Sequence, residues 1–255
     1  MGERSFAPLH IVVPCFNEEL RLPSEAFIRS LELQPALHIL FADDGSTDGT
    51  HALLDKIQGI APDRVGIHRL TRNSGKGEAV RQGMFAALRQ WPDAQYIGYF
   101  DADLATPLTE AFRLRDYLTP RAPFIIMGSR VQLLGTTDIR RLAHRHYFGR
   151  LFATLVSMQL GLPVYDTQCG AKLVRADQVE ALFKEPFLTR WLFDVELLWR
   201  CMILVGRHDM REQAAEVPLT MWHERAGSKV NLSDAFKVPL GLSRIARYYR
   251  GRVRM

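Results

Sequence analysis

The 255-residue sequence predicts an α/β fold, with a mostly parallel, Rossmann-like central sheet, helices on both faces and a helical elaboration in its C-terminal part. Three observations predict it. Short apolar runs alternate with segments of helical spacing up to about residue 127, the rhythm of strand-helix-strand units. Two of those runs end in acidic clusters, Asp43-Asp44 and Asp101-Ala102-Asp103, and open parallel sheets hold ligands beyond the carboxyl ends of their strands. No stretch rich in Gly, Pro or Ser divides the chain, so residues 1–255 read as one domain made of two halves, 1–128 and 129–255.

The elements follow in order. His10 to Val13 is a buried strand ended by Pro14, and Ser24 is a cap for a helix carrying Phe27, Ile28 and Leu31. Leu37 to Ala42 is the next strand, Thr50 to Ile57 a helix and Val65 to Leu70 a strand. The loop Arg72-Asn73-Ser74-Gly75-Lys76-Gly77 opens a helix with Val80, Met84, Ala87 and Leu88 at helical spacing. Tyr96 to Phe100 and Phe124 to Met127 are strands. After Gly128 an arginine-rich segment leads into a long apolar helix bearing Tyr147, Phe148, Leu151, Phe152, Leu155 and Val156. A short strand near Lys172 to Val174, helices from about Asp177 and from Asp194 to Val205, an edge strand at Glu216 to Leu219 and a terminal helix from about Leu232 complete the chain.

Composition narrows the class. A hydrophobic content of 47% is ordinary for a globular protein. Cys15, Cys169 and Cys201 are widely spaced, with no Cys-x-x-Cys pair and no secretory signal at the start, and the expectation is a reducing cytoplasm. The longest uncharged stretch, Leu151 to Tyr165, falls short of the roughly 20 residues of a membrane span. The net charge of +5 is uneven, because Lys237 to Met255 carries Lys237, Arg244, Arg247, Arg250, Arg252 and Arg254 without one acid. Such a basic terminus beside apolar residues predicts peripheral contact with an anionic membrane face, whereas no nucleic-acid-binding signature accompanies it.

The chemistry begins with the acids. On a strand, residues i and i+2 share a face, so Asp101 and Asp103 can reach one hard cation that carries a diphosphate. Oxygen ligands of this kind suit Mg2+ or Mn2+, where zinc would want a tighter set of His and Cys. Lys76, flanked by Gly75 and Gly77, is a phosphate binder outside the Walker spacing, which disfavours ATP chemistry.

Four segments occur in order: Pro14-Cys15-Phe16-Asn17-Glu18-Glu19, Asp43 to Thr50, Asn73 to Arg81 and Asp101-Ala102-Asp103. Together they resemble the family 2 GT-A glycosyltransferases, inverting enzymes that use nucleotide sugars. Gly128-Ser129-Arg130, Asp166 to Lys172, Trp191 to Glu196 and Trp222 to Lys229 extend the match over about residues 8 to 245. Those later segments are similar to the dolichyl-phosphate β-glucosyltransferase group and, more distantly, to dolichol-phosphate mannose synthases.

The resemblance implies a GT-A fold whose first half binds the nucleotide sugar and whose second half binds the acceptor. Asp44, or Asp43 beside it, accepts the imide hydrogen of uracil, with Pro14, Asn17 and Glu18 on the adjacent strand end. Asp103 is the main metal ligand, Asp101 touches ribose or the metal through water, and Ala102 between them belongs to the nucleotide-sugar site. His223 is implied as a third metal or diphosphate contact, Lys229 as a phosphate contact, and Asp166 and Gln168 as the lining of the sugar pocket. Cys169 is expected to be packed and inert.

The acceptor decides the mechanism. A hydroxyl must lose a proton, and Asp194 or Glu196 would be its base. A polyprenyl phosphate, with a second pKa of about 6, arrives ionised and needs only cations to hold it, for which Arg130, Arg140 and Arg141 are the candidates. The expectation is therefore a metal-dependent hexosyltransferase, with UDP-glucose the donor and GDP-mannose the alternative, acting on a polyprenyl or dolichyl phosphate. It would work peripherally at the cytoplasmic face of the inner membrane, since neither the N-terminal anchor of eukaryotic relatives nor the C-terminal spans of some bacterial ones is seen. A same-fold enzyme with a soluble hydroxyl acceptor and a nucleotidyltransferase are the other readings.

Overall fold

The computed structural model of the chain describes residues 8–117, 122–135, 137–140, 143–225 and 232–253. Strand β1 (Leu9–Cys15) leads to α1 (Ser24–Leu33), β2 (Leu37–Asp43), α2 (Thr50–Ile60), β3 (Val65–Arg69), α3 (Lys76–Gln90) and β4 (Tyr96–Phe100). Then come α4 (Leu108–Asp116), β5 (Ile125–Ser129), β6 (Asp138–Arg140), α5 (Ala143–Leu160), β7 (Ala171–Arg175) and α6 (Ala176–Phe183). The chain continues as α7 (Phe193–Gln213), β8 (Ala214–Pro218), β9 (Met221–His223) and α8 (Leu232–Tyr249).

Among the described residues seven strands form one sheet in the order β3-β2-β1-β4-β7-β5-β8, in which only β7 runs against its neighbours. A separate parallel pair joins β6 to β9. The chain winds outward from β1 to β3 and returns to β4 on the other side of β1, which opens a crevice at the carboxyl ends of β1 and β4. Because β7 threads between β4 and β5, the second half of the chain completes the sheet of the first, and residue 128 marks no break in it.

Alternation along β1 explains the two-sided core. Ile11 and Val13 pack on one side with Phe27 and Leu31 of α1, Leu54 and Ile57 of α2 and Ala111 and Leu114 of α4. Val12 points to the other, with Val80 and Met84 of α3, Val179 of α6 and Trp199 of α7.

Several boundaries differ from the sequence expectation. Pro14 does not end β1, which continues to Cys15 opposite Asp43; β4 pairs only with His10 to Val12, so the missing N–H of Pro14 meets no ladder on that side. Ser24 is the first residue of α1, with Pro23 in the cap position and no side-chain cap. Helix α7 keeps helical geometry up to Gly206, whose φ of 81° breaks it just after Val205, and then resumes. Helix α4 and the three-residue strands β6 and β9 were not anticipated.

One core feature makes stability pH-dependent. His10 and His38 lie side by side in register on β1 and β2, ring centroids 4.9 Å apart, and both rings contact Trp91. Burial, followed by the neighbouring His38, lowers the His10 pKa from 6.5 to about 4. The unfolded chain therefore takes up a proton near pH 6.5 that the folded chain refuses until about pH 4. This contribution to stability is complete above the unfolded value and is lost as pH falls, by about 3 kcal/mol over the interval. Urea denaturation of the wild type and His10→Phe across that range checks it, since the substitution is expected to flatten the slope by that amount.

Candidate active site

The crevice holds a cleft of about 530 Å³, lined by the ends of β1, β2 and β4 and by residues of the loops around β7, α7 and β9. Asp101, Ala102 and Asp103 form part of its wall. The strand itself ends at Phe100, so the acids share a side through the turn that follows rather than through strand pleating. In that turn the Leu104 N–H donates to the Asp101 carbonyl at 3.2 Å, and Leu104 takes a left-handed φ of 48°. A leucine held there costs on the order of 1 kcal/mol. The Ala105 N–H donates to Asp103 Oδ1 at 3.0 Å and fixes that carboxylate.

Two cations of the chain face the pair. Lys76 Nζ lies 2.5 Å from Asp101 Oδ1, and Arg21 lies 3.6 Å from Asp103 Oδ2. Burial works against the charge on Lys76, but Asp101 and Asp194 raise its pKa further. Burial and then the charge of Asp101 push the Asp103 carboxyl up, the mark of a site that wants another positive charge.

Gly170 is what lets Asp101 occupy its place. A Cβ there would lie 2.0 Å from Asp101 Oδ2, while the Gly170 carbonyl accepts the Asp101 N–H at 3.0 Å. Gly170→Ala is expected to displace the carboxylate and lower turnover about a hundredfold with little change in melting temperature. Steady-state kinetics and a thermal melt on the same preparation test this.

At the other end of the cleft stand Pro14, Glu18 and Asp44. Asp44 is buried and accepts the Ser74 and Gly75 N–H groups at 2.7 Å each, so it pins the glycine loop that carries Lys76. Burial raises its pKa, opposed by those two amides and by Arg190. Gly75 takes a φ of 99°, where a Cβ would also meet Arg190. Two predicted nucleotide contacts fall outside this wall. Asp43 is wholly buried, accepts the Ser46 N–H at 3.0 Å and pairs with His51 at 2.7 Å, because the strand pleat turns it away from the side that Asp44 faces. Asn17, at a left-handed φ of 49°, accepts the Thr47 N–H at 2.9 Å and shapes the loop.

Behind the acids lies a buried network. Lys172, fully buried, pairs with Asp194 Oδ1 at 2.7 Å, and the same oxygen accepts the Tyr99 hydroxyl at 2.6 Å. Lys172 also donates to the Thr167 and Cys169 carbonyls at 2.9 and 2.6 Å, which fixes the loop bearing Gln168. Gln168 lines the cleft, and its buried Nε2 has no hydrogen-bond partner among the described residues. Arg130 also lines it, held by Asp166 at 2.6 and 2.8 Å, with its guanidinium 5.4 Å from the Trp222 ring. Asp166 itself does not line the cleft, since both of its oxygens bind Arg130. Glu196 is excluded as a base: it is fully buried away from the cleft, pairs with Arg200 at 2.8 Å and accepts the Tyr249 hydroxyl at 2.7 Å. Burial pushes the Cys169 thiol up to about 12, so it is packed and unreactive.

The remaining predicted contacts lie elsewhere. His223 is not placed as a metal ligand; its ring meets Asp138 at 2.6 Å, and the residues on either side of it, Trp222 and Glu224, line the cleft instead. Arg140 is exposed and pairs with Asp138 at 3.0 Å, outside the cleft. Arg141 and Lys229 fall outside the described residues. No group of three His, Cys, Asp or Glu side chains gathers to hold a metal among the described residues. A pair of carboxylates nonetheless fits Mg2+ or Mn2+, which keep waters and take their other oxygens from a bound diphosphate.

The cleft contains residues that motif reading passed over. Arg21 and Arg190 carry no local signal and arrive only through folding. Trp191, Trp222, Glu224 and Arg225 stand inside the segments that carried the resemblance, which was the available signal.

Comparison with known proteins adds to this geometry. Residues 10–183 match Glycosyl transferase family 2. The chain is similar to the dolichyl-phosphate beta-glucosyltransferase of Mus musculus, 33% identical over 236 residues that cover 87% of this chain and 69% of that protein. The Saccharomyces cerevisiae protein of the same description is 31% identical, covering 94% and 75%. Among solved structures, glucosyl-3-phosphoglycerate synthase from Mycobacterium tuberculosis with Mn2+, UDP-glucose and phosphoglyceric acid superposes with a TM-score of 0.66 at 18% identity, over 94% of this chain and 80% of that one. That likeness shows the fold alone.

Proposed function

The chain belongs to Glycosyl transferase family 2 and is a glycosyltransferase, and on that premise we propose that it moves glucose from UDP-glucose, with inversion and with Mg2+ or Mn2+, onto a polyprenyl or dolichyl phosphate. The observation that carries the acceptor is the state of Asp194. This carboxylate of the cleft wall is tied on one oxygen to a buried ammonium and a phenol, which suits a nucleophile that needs no deprotonation. The names of the relatives at about 30% identity agree with this acceptor.

Each residue then has a role. Asp44 accepts from the base with the lone pairs that the loop amides leave. Asp103 and Asp101 would hold the cation, which when bound neutralises charge on the departing diphosphate. Lys76 moves from Asp101 to the diphosphate, where its ammonium has the same effect. Gln168 Nε2 donates to a sugar hydroxyl, since an unpartnered buried donor costs the site until one arrives. Arg130 and Arg225 form the cationic wall for the acceptor phosphate, with Asp166 setting the direction of Arg130, while Arg190 stands at the nucleotide end beside Gly75. The two halves act as one domain, a reading that their shared sheet supports.

Release of UDP from UDP-glucose tests the reading, with purified enzyme, Mn2+ and dolichyl or undecaprenyl phosphate. Release that depends on the lipid phosphate supports it, and none with either lipid overturns it. A thermal-shift series with UDP-glucose, GDP-mannose and UDP-N-acetylglucosamine decides the donor, because a ligand of the native state raises the melting point; the largest rise is expected with UDP-glucose and Mn2+.

A further inference from the structure

Helix α5 is apolar on both sides. Inward, Val156 and Leu160 are fully buried in the core. Outward, Tyr147, Phe148, Leu151, Leu155 and Met158 are 48–76% exposed, and their spacing of three and four residues sets them in one stripe about 16 Å long. Single exposed apolar side chains are ordinary, but a contiguous row of five large ones marks an interaction face.

Charge identifies what that face meets. Residues 139–165 contain no Asp or Glu, and Arg150 is exposed among the apolar residues of α5. The Gln159 side chain donates to the Leu242 carbonyl at 2.8 Å and so ties α5 to α8, where residues 237–255 again contain no acid. Helix α8 exposes Leu240, Arg244, Arg247 and Tyr248. A second copy of the chain docked on this face would bring like charges together, whereas an anionic lipid surface complements it. Among the described residues no helix is long and apolar enough to cross a membrane, so the fitting geometry is a helix lying in the headgroup layer.

We propose that the outer face of α5, flanked by the arginines of α8, docks the protein on an anionic bilayer. The position serves the lipid-phosphate acceptor reading, on which this functional meaning rests: α5 follows directly on β6, and β6 pairs with β9, whose Trp222 lines the cleft. A docked α5 therefore begins on the acceptor side of the site.

Co-sedimentation with vesicles, without donor or acceptor, tests the docking by itself. The full chain is expected to bind phosphatidylcholine vesicles containing phosphatidylglycerol, and to bind them less as salt rises. Leu151→Glu combined with Leu155→Glu should lower the partition roughly tenfold or more at an unchanged melting temperature, since both side chains face outward. Protein that stays in the supernatant with anionic vesicles overturns the proposal, as does equal binding by the double variant, or a wild-type dimer that the double variant turns into a monomer. UDP release with a water-soluble short-chain prenyl phosphate separates the two readings. The double variant should keep that activity; vesicle binding without any such activity in the wild type would sink the acceptor reading and leave the docking intact.

Discussion

Asp103→Ala is expected to lower kcat/KM for UDP-glucose about a thousandfold while leaving the melting temperature unchanged or slightly raised. The loss follows from the role proposed for the cation, since neutralising the departing diphosphate would contribute several kcal/mol to the transition state, and each 1.36 kcal/mol is about tenfold in rate. The unchanged stability follows from the site's electrostatics. Burial and the adjacent Asp101 already push the Asp103 carboxyl up, so its charge is held at a cost in the free protein. Asp101→Ala should lose activity too, and it also frees Lys76 from its 2.5 Å partner. Kinetics within tenfold of wild type for Asp103→Ala would refute this assignment, and a parallel thermal melt excludes simple unfolding.

Lys172→Met is expected to destabilise the fold by about 3–5 kcal/mol, because it leaves Asp194 buried without its cation. On a chain of this size that lowers the melting temperature by about 10 °C. The same change releases the Thr167 and Cys169 carbonyls, so the loop that presents Gln168 and Gly170 loosens and turnover falls as well. The double variant Lys172→Met with Asp194→Asn removes the stranded charge and should recover part of the loss, a coupling that urea denaturation of the cycle measures. A single variant within 1 kcal/mol of wild type, or a double variant as unstable as the two losses added, would contradict a coupled buried pair.

The first half of the fold was legible because its signals are local. Apolar runs of strand length and the acids after them placed β1 to β4 within one or two residues, and the ordered motifs located the cleft. What a string could not show was how near-neighbour acids divide their work. Asp43 and Asp44 read alike, yet the pleat buries one against His51 and turns the other to the cleft. Asp101 and Asp103 were expected to align by strand periodicity, and a turn with a left-handed Leu104 does it instead. Arg140 and His223 looked suited to an anion and a metal, but both meet Asp138, a partner on the parallel β6–β9 pair that no periodic signal announces. Arg21 and Arg190 reach the cleft through packing of segments far apart in the chain. The apolar side chains of α5 were legible as a helix, but that one side of it remains uncovered depends on the tertiary fold.

Mass spectrometry of the lipid after incubation with UDP-glucose, Mn2+ and dolichyl phosphate tests the central claim most directly, namely that paired acids grip the donor's leaving group while an already ionised phosphate takes the sugar. A gain of one hexosyl residue on the lipid phosphate with the wild type, lost when Asp101 and Asp103 are both replaced by Asn, is the predicted result. UDP accumulating while the lipid keeps its mass, or a double variant that transfers at the wild-type rate, would contradict it.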